Sequence, residues 1–188
     1  MEFLRTRRTY RRFEQRPVAP ELLTEAVEAA RIASCGNNRQ TLKYMIVQSP
    51  AMVASVQPLV HWAASLPPEQ GCPKPGEQPV AFIAVLQDER LPGGSDTNVG
   101  LAMGSMTAAA WAHGVGSCLM GSIDRPALTQ LLGLPEGVKL RYMVAFGYPS
   151  HQSHLVTAVD GNVKYYLDDA RDYCVPKRPL EEVLLKTL

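Results

Sequence analysis

Residues 7–13 read Arg-Arg-Thr-Tyr-Arg-Arg-Phe, four guanidiniums within seven residues. Guanidinium forks beside a hydroxyl suit an oxyanion, which accepts several charge-assisted hydrogen bonds at once. Three readings of the run compete: a solvated stretch of charge, an arm for nucleic acid or membrane, or one wall of a site for a single small anion. In an extended segment Arg7, Thr9 and Arg11 alternate and point the same way, as a shared site requires.

The rest of the composition bears on that choice. The chain of 188 residues carries 19 Lys+Arg against 18 Asp+Glu, a net charge of +1. A protein that grips a phosphate backbone carries a large positive excess. Here six of the basic residues fall between Arg5 and Arg16, concentrated rather than numerous, so no nucleic-acid partner is expected. No stretch approaches the roughly 20 apolar residues that span a bilayer. No apolar run follows the basic start as a secretory signal requires, so a cytoplasmic protein without a membrane partner is expected. Cys35, Cys72, Cys118 and Cys174 are widely spaced, form no C-x-x-C pair and read as reduced thiols.

Other chemistry is hard to find. The chain has no G-x-x-x-x-G-K-[ST], H-E-x-x-H or G-x-S-x-G. Gly114 and Gly116 make a G-x-G, but the third glycine is missing and the motif follows a helix rather than a strand. His151 and His154 show an H-x-x-H spacing without a Cys, Asp or Glu partner set beside them, and read as solvated loop histidines. Cys118 has no readable His–Asp set to activate it and reads as a buried strand cysteine. No metal site is expected, and no side chain is assigned a catalytic role. If the chain is an enzyme, a cofactor carries its chemistry.

Around the arginines, the pattern predicts helix from Ala19 to Ala33, with Pro20 in its first turn and Leu22, Leu23, Ala26, Val27 and Ala30 on one face. Strand follows over Leu42–Gln48, then a helix opened by Ser49 and Pro50 and interrupted at Pro58. Residues 66–78, rich in Pro and Gly, form a surface excursion. Strand resumes at Pro79–Asp88. Asp96 is expected to cap the next helix, around Asn98–His113, which lacks a polar face and so should be buried all round, against a second copy of the chain. A strand at Val115–Ile123, a short helix capped by Asp124 and ended at Gly133, and a strand at Leu140–Pro149 complete the series. One α/β or α+β domain over 1–188 is implied.

In the same order along the chain, five segments resemble the FMN-dependent nitroreductase family: the basic opening with the helix after it, the loop "ASCGNNRQTLKYMIV", the helix and turn "NVGLAMGSMTAAAWAHGVGSCLMGSI", "LLGLPEGVKLRYMVAFGYP", and the late "VPKRPLEE". The resemblance implies an α+β nitroreductase-like fold, a central mixed β-sheet surrounded by helices, in an intertwined homodimer. It implies FMN, with Arg7, Arg8, Thr9 and Arg11 at its phosphate and ribityl chain, Arg11 alternatively at the N1/O2 edge of the ring. Asn38 and Gln40 match the family's Asn-x-Gln, in a loop that reaches the partner's site and that here includes Cys35 and Gly36. Ser34 and Cys35 stand where the family often has Pro-Ser. Gly121 and Ser122 match the place where a backbone N–H meets flavin N5, and Lys177 and Arg178 match a late basic pair at the phosphate. The implied reaction takes a hydride from NADH or NADPH and passes two electrons to a small electron-poor acceptor. The alternatives are other flavin chemistry of the family, or a flavin sensor or store without turnover.

Overall fold

The computed structural model describes residues 1–188. A short helix α1 (Glu2–Thr6) precedes the arginine run, and α2 (Pro20–Arg31) follows it. Pro20 opens α2 where a missing N–H costs nothing, and Leu23, Ala26 and Ala30 bury one stripe. Strand β1 (Leu42–Val47) leads to α3 (Pro50–Val56), whose N-terminus is capped by the Ser49 hydroxyl accepting from Met52 N–H. Pro58 sits in the 3-10 turn that ends α3. A single turn, α4 (Pro68–Gly71), lies within the surface excursion. Then come β2 (Ala81–Asp88), α5 (Asp96–Ala112), β3 (Gly116–Met120), α6 (Arg125–Leu131) and β4 (Val138–Gly147). The chain closes with β5 (Ser153–Thr157), β6 (Tyr166–Leu167), β7 (Tyr173–Lys177) and α7 (Leu180–Val183).

The central sheet has the order β1-β2-β4-β3, and each neighbouring pair is antiparallel. At the free edge of β3, Thr9 makes a parallel bridge to Ser117, which renders the sheet mixed. Strand β2 is buried along its whole length because both faces are covered. One face packs Ile83, Val144 and Phe146 against Leu23 and Ala26 of α2 and Met106 of α5. The other packs Phe82, Met143 and Ala145 against Val56 and Leu128.

Two expectations are corrected. Ser95, not Asp96, caps α5, its hydroxyl accepting from Asn98 N–H at 3.2 Å. The Asp96 carboxylate, in the first turn, pairs with Arg141 instead. The tail forms a second sheet, β5-β7-β6, with β5 parallel and β6 antiparallel to β7. Its strands are too short to show a period. Within one chain α5 buries one side and leaves the other uncovered, the side for which a second copy is expected. Val99, Ala102, Met103, Met106 and Ala110 face inward, while Gly100, Leu101, Gly104, Ser105 and Ala108 lie outward, with Leu101 46% exposed.

Candidate anion and cofactor site

After α1 the chain runs along the free edge of β3. The Tyr10 N–H donates to Ser117 O at 2.9 Å, beside the Thr9–Ser117 bridge. Tyr10 turns inward and stacks on Trp111 of α5, ring centroids 5.1 Å apart. Its hydroxyl donates to Thr6 O at 3.1 Å, and Trp111 Nε1–H donates to Thr6 Oγ1 at 3.1 Å. Gly116 makes the arrangement possible, since a Cβ there would sit 2.8 Å from the Tyr10 ring.

With Tyr10 anchored, Arg7, Arg8 and Thr9 wall a pocket of about 190 Å³ completed by Thr107 of α5 and by Ser117 and Leu119 of β3. Arg7 Nη1–H donates to Thr107 Oγ1 at 2.8 Å. No carboxylate lies within ion-pair distance of Arg7 or Arg8; the chain's ion pairs involve other residues. The Nε atoms of both are buried and have no acceptor. Burial, and then the neighbouring Arg7 charge, holds the Arg8 guanidinium below its ordinary pKa. Two guanidiniums without a carboxylate partner and three hydroxyls around one pocket have the chemistry that suits an oxyanion.

Arg11 does not join them. Its guanidinium lies over Tyr165 at 4.6 Å and Tyr173 at 4.8 Å from the ring centroids. The expected alternation fails because the segment is an irregular edge held by single bridges, so Arg8 rather than Arg11 shares the pocket with Arg7 and Thr9. Arg12 is buried and donates to the Arg171 carbonyl.

His151 is not a solvated loop residue. It is 7% exposed, its Nδ1–H donates to the Arg12 carbonyl at 3.2 Å, and its ring packs between Tyr10 and Tyr173. Burial first, then the Arg12 charge, lowers its pKa to about 4. His154 is exposed, and the fold does bring Asp168 and Asp172 near it. Those carboxylates already accept from the N–H groups of Ala170 and Gln152, as turn-forming aspartates do.

The loop at Cys35–Gln40 is fixed by Gly36 N–H, which donates to Asn98 Oδ1 at 2.8 Å. Asn37, Asn38 and Gln40 are left-handed, with φ of 51°, 51° and 49°. Asparagine tolerates this conformation, whereas at Gln40 it costs about 1–2 kcal/mol. Cys35 and Gln40 line a pocket of about 180 Å³ with Tyr44 and Asn98. Asn98 and Thr107 sit on the same helix with nine residues of rise between them, about 14 Å. Within one chain the loop and the arginine pocket therefore stand toward opposite ends of α5.

Gly121 and Ser122 continue β3 past Met120. Their carbonyls accept from Arg125 Nη2 and His61 N–H, both at 3.0 Å, while neither N–H has an acceptor in the chain. Strand alternation carries Ser117, Leu119 and Gly121 along one face, so the free N–H of Gly121 lies about 13 Å along the strand from the hydroxyl of the pocket. Lys177 ends β7 and Arg178 follows it, pairing with Glu182 at 3.0 Å; neither lines the pocket.

Sequence reading misses Thr107, Ser117 and Leu119. Thr107 carries a faint signal, a hydroxyl on the inward side of an otherwise apolar helix. Ser117 and Leu119 carry none, because their role depends on which residues cross the edge of β3.

The model of the Nitroreductase family matches residues 4–148. A protein of Archaeoglobus fulgidus, provisionally named NADH dehydrogenase/NAD(P)H nitroreductase, is 24% identical over 168 residues, 85% of this chain and 91% of its own. An NADH dehydrogenase of Thermus thermophilus is 25% identical over 176 residues, covering 79% and 85%. A Desulfovibrio desulfuricans protein solved in complex with FMN superposes with a TM-score of 0.72 at 18% identity, over 100% of this chain and 95% of its own.

Proposed function

The chain belongs to the nitroreductase family, and from that premise we propose that it is an FMN-dependent oxidoreductase passing two electrons from NADH or NADPH to a small electron-poor acceptor, a nitroaromatic or a quinone. The observation that carries the reading is the half-buried Arg7–Arg8 pair, both Nε atoms without an acceptor and no carboxylate beside them. A phosphate monoester near charge −2 supplies what the pocket lacks. FMN, when bound, supplies the two-electron carrier that no side chain here provides.

The residues then divide the work. Arg7, Arg8, Thr9, Thr107 and Ser117 hold the phosphate, and Tyr10 on Trp111 keeps that wall in register. The free Gly121 N–H is a donor for the far end of the ligand. Leu119, 45% exposed on the same face, gives it an apolar floor.

A homodimer supports the remaining assignments. The outward stripe of α5 permits close approach of a second α5. In an isologous pairing whose two-fold axis crosses the helices, they run antiparallel, and the Asn98 end of one approaches the Thr107 end of the other. That arrangement brings the loop holding Cys35, Gly36, Asn38 and Gln40 of one copy toward the arginine pocket of the other. Lys177 and Arg178 are exposed at the end of β7, whose partner strand β5 packs against α1 beside the arginine run, and are the remaining candidates for the phosphate.

The test is anaerobic titration of the FMN-loaded protein with NADH and NADPH, followed by a panel of nitroaromatics and quinones. Stoichiometric bleaching and reoxidation by at least one acceptor class is the expected result. A protein that binds no flavin, or binds it and is bleached by neither nicotinamide, removes the proposal. Sedimentation at nanomolar concentration tests the dimer, and a folded, flavin-loaded monomer would contradict the shared site.

A further inference from the structure

A cavity of about 310 Å³ lies where the segment after the arginine run meets the start of α3 and the approach to β2. A second, of about 450 Å³, shares Ala54, Gln57 and Gln78 with it and extends to Trp62 and Cys72. Volumes of 300–1,000 Å³ suit a small organic ligand. No residue of the anion pocket lines either.

The chemistry of the walls is restricted. Charged residues make up 20% of the chain, yet none lines either cavity. Neighbouring charges are engaged elsewhere: the Arg16 guanidinium lies over the Tyr148 ring at 3.3 Å, and Glu77 pairs with Arg171 at 3.1 Å. Pro17, Pro50 and Pro79, with Val53 and Val80, give flat apolar surface. The polar groups are primary amides, and two of them are held in place. Gln15 Nε2 donates to Gln78 O at 2.9 Å and Gln48 Nε2 donates to Val18 O at 2.6 Å. Each bond fixes an amide plane and leaves an Oε1 that receives no donor from the chain. Gln57 Oε1 is buried and also lacks a donor.

We propose that this cavity is a second binding site, separate from the anion pocket, for a neutral aromatic carboxamide. Three acceptors fixed or buried by the fold call for N–H donors on the ligand, and acceptors held in place beforehand cost little ordering on binding. The proline and valine walls call for a flat apolar body. A carboxylate has no N–H for those oxygens and an amidinium finds no acid to pair with, whereas a neutral carboxamide brings N–H donors to the acceptors and a carbonyl to the free Nε2 groups of Gln57 and Gln78.

The test uses the FMN-loaded protein and three isosteres: benzamide, benzoate and benzamidine. Side-chain amide signals of Gln15, Gln48, Gln57 and Gln78 are followed by NMR. Benzamide is expected to shift them saturably with a Kd of about 1 mM or tighter, and the two charged isosteres to bind at least tenfold more weakly. Ala54→Trp places an indole on the wall shared by the two cavities, at an exposed helix position that the fold tolerates, and should abolish the benzamide response. Gln57→Leu should weaken it about tenfold. Flavin content and nicotinamide-driven bleaching, measured on the same samples, should not change in Ala54→Trp, so the fate of this site is read separately from that of the oxidoreductase reading. No saturable response, equal response to the charged isosteres, or a benzamide response that survives Ala54→Trp overturns the proposal.

Discussion

Arg7–Arg8 and Arg11–Arg12 belong to one short run, yet the fold treats them oppositely. The first pair faces hydroxyls across a polar pocket, with buried Nε atoms and no counter-charge. The second pair is tied to the C-terminal sheet, Arg11 over two tyrosine rings and Arg12 on a backbone carbonyl beside buried His151. Identical side chains thus line an open polar pocket or clamp the C-terminal sheet according to what the topology sets opposite them, and the proposed phosphate site rests on the first pair. In the first pair both Nε atoms are left without an acceptor, whereas in the second Arg11 rests on two rings and Arg12 keeps one bond to a carbonyl with its Nη1 unpaired.

The clamp should give way first in acid. His151 is held neutral, its pKa depressed from 6.5 to about 4. Above pH 6.5 neither the folded nor the unfolded chain binds a proton there, and its contribution to stability is intact. As pH falls below 6.5 the unfolded state protonates first, and stability is lost progressively down to about pH 4, by up to about 3 kcal/mol. Urea unfolding across that range should show the loss, and His151→Gln should flatten it. An unchanged slope in the variant would mean that other groups set the acid limit.

The pocket should fail through affinity. Arg8→Ala removes a charged hydrogen-bonding partner, a loss of about 1.5–3 kcal/mol or roughly ten- to a hundredfold in FMN affinity, with the fold kept. Arg11→Ala should spare phosphate recognition and loosen the C-terminal sheet, seen as faster amide exchange at Tyr173–Lys177. Equal loss of FMN from both variants would erase the distinction between the two pairs.

Gly121 probes the far end of the proposed site. Gly121→Pro deletes the free N–H and should slow flavin reduction by NAD(P)H about tenfold, equivalent to about 1.4 kcal/mol of barrier. Gly121→Ala keeps the donor. Its Cβ would lie 3.0 Å from Tyr142 Cε1, so the ring must shift by a few tenths of an ångström, and the rate should stay near wild type. Equal stopped-flow rates for all three would remove Gly121 from the site. The smallest effect belongs to the exposed Arg178–Glu182 pair: Arg178→Ala should change unfolding free energy by less than about 0.5 kcal/mol. A larger change, disappearing on dilution, would place Arg178 at an interface.

The elements that frame the site were legible where period and caps are strong. Pro20, Ser49, Asp124 and the apolar run of β2 announce themselves locally, and their elements stand where the pattern places them. Arg7, Arg8 and Thr9 were legible as residues whose chemistry suits an anion because that chemistry is local, and the fold gathers them around one pocket. Thr107, Ser117 and Leu119 were not, since they become neighbours only when the arginine segment crosses the edge of β3. His151 was misread because burial comes from Tyr10 and Tyr173, far away in sequence, and the tail sheet because its strands are two to five residues long.

The central claim is that Arg7 and Arg8 lack an anion that the ligand brings. Titration of one apoprotein with FMN and with riboflavin, which differ only in the phosphate, tests it most directly. Two charged hydrogen-bonding partners should make FMN bind at least about a hundredfold tighter, and the preference should shrink as salt rises. Riboflavin binding as tightly as FMN would contradict the account.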